Sequence, residues 1–267
     1  MPKKSLSTFP TGPQALLLLL VLFLSEYLIG AALYDLQSSL GLMPAEVTAL
    51  TVLLANGVVV TAVMQLTHMS YGNLFHPARS STKATLLLLL PPICLVLPAL
   101  LMCMEVLLDW LVLIAPMSAW EKSMFDNMAS GGLASTVAVC LLAPVLEEML
   151  FRGVILRGFL TLYPRWQAIA GSSILFGVAH LNLYQFFVGL VLGLLSGWLY
   201  ERSRSLWPCI GLHGLYNSAL WFMWAHQDAS AADSPAPASP AAWLLAFALA
   251  GLGGWWLHRC LAKPRVT

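Results

Sequence analysis

Eight long apolar runs, separated by short polar stretches, leave this 267-residue chain few ways to fold. They cover about Pro13 to Tyr34, Ala45 to Gln65, Ala84 to Pro116, Gly131 to Leu160, Trp166 to His180, Leu183 to Tyr200, Leu206 to Trp224 and Ala242 to Leu257. In hydrocarbon a backbone must satisfy its own polar groups, and a helix does so within a single segment. The pattern predicts an all-α, polytopic membrane protein of about eight transmembrane helices. Only 9% of residues are charged and mean hydropathy is +0.80, against about a quarter charged in a soluble domain. A net charge of +1 suggests no nucleic-acid partner. The five cysteines show no CxxC and sit mostly inside apolar runs, as buried free thiols do.

Loop charge orients the eight spans. With the N-terminus in the cytoplasm, twelve of the thirteen basic residues fall on cytoplasmic segments or helix ends, leaving only Lys122 outside. Asp35, Glu46, Glu121, Asp126, Asp228 and Asp233 fall on the other side. That split predicts both termini inside. The compact loops and short basic start suggest a prokaryotic plasma (inner) membrane. Three parts follow: helices 1–3 over residues 1–130, a core of helices 4–7 over 131–225, and a Pro/Ala/Ser linker with helix 8 over 226–267. Pro91, Pro92 and Pro98 predict a kinked or tilted third helix. Gly189, Gly193 and Gly197 predict a groove along the sixth for close packing.

The fourth run carries the least expected residues. Glu147 and Glu148 stand side by side in a segment otherwise uncharged from Leu133 to Phe151. One ionised carboxylate at mid-membrane costs at least ~2.5–3.5 kcal/mol. Arg152, four residues after Glu148, shares its helical face and can neutralise it. Glu147 projects about 100° away and has no local partner. Other spans add His180, and His213 with Asn217 one turn later. Glu147 and His180 each lie about sixteen residues from the turn near Tyr163-Pro164, which predicts one level for both in an antiparallel pair. Glu26 faces this cavity or pairs with a neighbour. Glu105 and Asp109 read as a wet helix end.

Glu147-Glu148-x3-Arg152, Phe176-x3-His180 and His213-x3-Asn217 resemble, in order, the three signature motifs of the CPBP family. This family comprises the type II CAAX prenyl endopeptidases and the bacterial Abi or bacteriocin-processing proteins. The resemblance spans about Leu133 to Leu220 and implies an eight-helix intramembrane endopeptidase with a CAAX-protease-like core. It implies Glu147, His180, His213 and Asn217 as catalytic, with Glu148, Arg152 and Phe176 supporting.

Peptide hydrolysis in a membrane needs a water, a base and donors for the oxyanion. Glu147 suits the base, His180 can orient the water or pass the proton to the leaving amine, and His213 with Asn217 can donate to the carbonyl oxygen. The substrate expected is a membrane-associated protein or peptide, at the lipid bilayer. On this reading no cofactor is required. In the competing version Glu147, His180 and His213 hold a zinc ion with an open fourth position. Cys209, in line with His213 and Asn217, offers a cysteine nucleophile in poor geometry. A non-catalytic immunity or scaffolding protein and a proton-coupled transporter are the alternatives from other classes.

Overall fold

The computed structural model describes residues 9–130, 132–225 and 238–262. Lys3 and Lys4, linker residues 227–237, Lys263 and Arg265 lie outside the described residues.

All eight apolar runs are helical, and no strand occurs among the described residues. The helices are α1 (Gly12–Leu40), α2 (Pro44–Thr67), the short α3 (Tyr71–Phe75), α4 (Thr82–Ile114) and α5 (Ala119–Ser130). The fourth run then forms one rod: α6 (Gly132–Val137), a π-helical segment Ala138–Leu142, α7 (Ala143–Glu148), a second π segment Met149–Leu156, and α8 (Arg157–Leu162). Next come α9 (Arg165–Val178), α10 (Leu183–Ser203), α11 (Trp207–Ala225) and α12 (Pro240–Leu261).

By length and composition α1, α2, α4, α10 and α12 can each cross a membrane. The expected eight crossings are thus five by this measure among the described residues. The rod of the fourth run changes helical register twice, and α9 has only 14 residues. At 1.5 Å per residue α9 rises ~21 Å, short of a ~30 Å hydrocarbon core. The prolines predicted to kink the third span sit inside α4, which stays helical throughout. Gly253 brings α12 against the Pro92 carbonyl, 2.6 Å from where a Cβ would stand.

Outer and inner helices differ in what they bury. α1 and α12 turn Leu16, Leu20, Leu24, Leu244 and Phe247 outward, as lipid-facing helices do. The second π segment and α10 carry much of the core: Leu150, Phe151, Ile155, Leu156, Leu199 and Tyr200 are at most 2% exposed. The predicted glycine groove is filled by α9. A Cβ at Gly193 would stand 2.9 Å from the Ser173 Cα, one at Gly189 3.2 Å from the Gly177 Cα, and one at Gly197 2.9 Å from Ile169 Cγ2. Successive contacts run in opposite directions along the two helices, so α9 and α10 form an antiparallel hairpin locked in one register. Its closed end is the turn that holds His180. Its open end is tied by Arg165 Nε to Glu201 Oε2 at 2.9 Å.

Candidate active site

α7 places the two glutamates in different surroundings, as their spacing predicts. Glu148 is fully buried, and its Oε1 accepts from Arg152 Nη1 at 3.0 Å and from His213 Nδ1 at 3.2 Å. Arg152 is 1% exposed, and its guanidinium carbon lies 4.3 Å from the Phe176 ring centroid. A cation over an aromatic face is attracted by the ring quadrupole, strongly so when desolvated. The charge of Arg152 is thus met on one side by carboxylate and on another by a π face.

Glu147 is the more open of the two, at 22% side-chain exposure. Among the described residues its Oε2 has no hydrogen-bond partner, and it lies 3.8 Å from His213 Nε2. That distance is too long for a hydrogen bond, so both atoms keep free capacity for a third group set against them. His213 therefore meets both carboxylates, one through each ring nitrogen. An ionised Glu148 can only accept, which puts a proton on Nδ1 and turns Nε2 toward Glu147.

His180 stands just past the end of α9. Its Nδ1 lies 2.9 Å from the Phe176 carbonyl, an obligate acceptor, so Nδ1 carries the proton and Nε2 is left for other work. The Phe176 ring packs edge-on against both imidazoles, at 5.2 Å from His180 and 5.6 Å from His213. It also meets Phe151 at 5.0 Å. One aromatic ring therefore sets the positions of Arg152, His180 and His213 together.

Asn217 lies on the same face of α11 as His213, but one amide proton is already used: Nδ2 donates to the Val139 carbonyl at 2.9 Å. Val139 belongs to the first π segment. The second does the same with α9, where the Phe151 carbonyl accepts from Ser172 Oγ at 2.9 Å. π segments concentrate at functional sites. Here each offers a carbonyl to a side chain of the helix beside it, fixing the glutamates against α9 and α11. Gly214 permits the close approach of α11, with the Cys140 carbonyl 3.3 Å from its missing Cβ.

Among the described residues no group of three His, Cys, Asp or Glu side chains is arranged to hold a metal ion. His180 commits Nδ1 to the Phe176 carbonyl of its own helix, while Glu147 and His213 lie 3.8 Å apart. Cys209 is fully buried, with Sγ 3.2 Å from the Ser196 carbonyl of α10, so it faces a helix interface rather than Glu147. Glu105 and Asp109 are exposed. Glu26 pairs with a neighbour, accepting from Asn56 Nδ2 at 3.5 Å, and interacts electrostatically with Glu147. Asn56, 3% exposed, was not singled out from the sequence; a lone amide in the second apolar run was the available signal.

These features define a helical integral membrane protein with an acid–imidazole cluster inside its helical core. Residues 129–219, about a third of the chain, match the family described as Type II CAAX prenyl endopeptidase Rce1-like. The match covers the motif-bearing segment and supports its similarity to the CPBP/CAAX protease family, whose members are intramembrane proteases. No curated protein and no solved structure matches the chain.

Proposed function

We propose that this protein hydrolyses a peptide bond of a membrane-associated protein or peptide, with Glu147 as general base. The observation that supports this most is the contrast between adjacent glutamates. Glu148 is consumed by Arg152 and His213, whereas Glu147 keeps an unpartnered oxygen facing His213 Nε2. An acid left in this state inside a membrane protein is poised for a ligand or a proton.

Glu147 takes a proton from water as its oxygen attacks the carbonyl carbon. His180, fixed by Phe176, turns Nε2 toward the same water or passes the proton to the departing amine as the C–N bond breaks. The oxyanion is met by the second amide proton of Asn217 and, in its imidazolium form, by His213 Nε2. Glu148 and Arg152 orient His213 rather than react. The family's description makes a prenylated CAAX peptide the first substrate to try. In the reading from loop charge, the protein sits in a prokaryotic plasma membrane with both termini cytoplasmic.

The test uses purified protein in proteoliposomes with an internally quenched, prenylated CAAX peptide, alongside C-terminal peptide mapping of membrane proteomes from wild-type and Glu147→Ala cells. Cleavage that depends on Glu147 and survives chelation supports the glutamate mechanism. Cleavage abolished by chelation and restored by zinc supports the metal version. Proton-coupled flux without cleavage supports transport instead.

A further inference from the structure

We propose that Glu121, on α5 and outside the family-matched segment, is a positioning residue for His180. The link to catalysis rests on the protease reading, whereas the latch itself is a matter of geometry.

The turn that carries His180 is not held by regular structure. α9 ends at Val178, and the chain tightens through His180 N–H to the Gly177 carbonyl at 3.2 Å and Leu181 N–H to the Val178 carbonyl at 3.0 Å. Leu181 then takes a left-handed backbone conformation, φ 51, which costs any residue with a Cβ. Its side chain is 75% exposed, so its own packing does not hold it there. The constraint comes from the next residue. Asn182 is buried, and its Oδ1 accepts from Tyr184 N–H at 3.0 Å and Gln185 N–H at 3.1 Å, capping α10. Its Nδ2 donates to Glu121 Oε1 at 3.0 Å.

Glu121 is itself fixed. Its Oε2 accepts from Ser118 N–H at 2.8 Å and Ser118 Oγ at 2.7 Å. A second tie runs in parallel, as the Tyr184 hydroxyl donates to the Ala115 carbonyl. The stretch from Ala115 to Glu121 thus grips the turn two residues beyond His180. An Asn182 that loses Glu121 keeps its cap on α10 but is no longer tied to α5. His180 can then drift, and a misplacement of ~1 Å at a catalytic group can cost ~10²-fold in rate.

The experiment compares wild type, Glu121→Ala, Glu121→Gln and Glu147→Ala in proteoliposomes with the quenched prenylated CAAX peptide. Amide exchange over residues 176–186 and the ¹⁵N signal of the His180 ring are followed in the same preparations. Glu121→Ala is expected to lower kcat about 10- to 100-fold with KM within twofold. It should also speed exchange in the turn and weaken the Nδ1–H signature of His180. Glu121→Gln keeps an oxygen for Asn182 and should retain most of the activity. A rate loss that only tracks the folded fraction, or an unchanged His180 signal and exchange in Glu121→Ala, overturns the proposal. So does an unchanged kcat where cleavage still needs Glu147. If wild type leaves the peptide intact or Glu147→Ala still cleaves it, the protease reading falls, and the His180 signal alone decides the latch.

Discussion

Arg152 rests its guanidinium on the face of Phe176, 4.3 Å from the ring centroid, while its Nη1 holds Glu148 at 3.0 Å. The same Phe176 ring touches both imidazoles and its carbonyl anchors His180. A buried ion pair often gains little over an apolar replacement, but losing one partner is costly. In this core the pair also fixes His213, so charge neutralisation and site geometry are one arrangement.

Glu147→Gln is expected to abolish Glu147-dependent cleavage, by ~10²–10⁴-fold for loss of a general base. Because Glu147 Oε2 makes no hydrogen bond among the described residues, the thermal midpoint in detergent should move little. Initial rates with the quenched peptide, beside a melting curve, check both halves. A variant that unfolds would make Glu147 structural.

Arg152→Met removes the cation from a fully buried Glu148 and should destabilise the protein by ~3–5 kcal/mol. Adding Glu148→Gln should recover part of that loss, since the remaining amide carries no charge. Denaturant unfolding of both variants measures it. A double variant no better than the single one would show that the Phe176 contact, rather than charge, dominates.

Gly193→Ala sets a methyl 2.7 Å from Ser173 Cβ and 2.9 Å from its Cα, in the seam between α9 and α10. Overpacking of this kind costs ~1–3 kcal/mol. Gly251→Ala on α12 meets nothing within 4 Å and should be neutral or slightly stabilising. Melting temperatures of the two variants give the comparison.

Asn217→Leu loses the bond to the Val139 carbonyl and the remaining amide proton together. With Asn217 as an oxyanion donor, kcat should fall ~10²–10³-fold. KM should change far less, because the oxyanion exists only in the transition state. A selective rise in KM would instead assign Asn217 to substrate binding.

Glu121 lies outside the spanning helices, and its carboxyl is held below the ordinary range by the Ser118 N–H and hydroxyl, with Asn182 adding to them against desolvation. Tyr184 faces the same carboxylate. A depressed acid stabilises the folded state fully above its unfolded pKa, and that contribution is lost as pH falls through the folded value. Amide exchange over residues 176–186 should therefore accelerate on acidification below the usual glutamate range. It should do so less in Glu121→Gln, which has no proton to gain.

The sequence alone determined whatever depends on spacing along one segment. Apolar runs longer than a bilayer needs became helices because a backbone in lipid must pair with itself. Glu148 found Arg152 because residues four apart share a helical face. Gly189, Gly193 and Gly197 made a groove because small residues at that interval leave one stripe bare. The tertiary structure decided everything that acts across helices. No local pattern announced the two π segments, the convergence of Glu147 and Glu148 on one imidazole, or the Phe176 ring beneath Arg152. The Glu26–Asn56 and Glu121–Asn182 contacts join residues 30 and 61 positions apart. Hydrogen bonds and ring contacts reach only a few ångströms, so which side chains meet is fixed by how the helices pack.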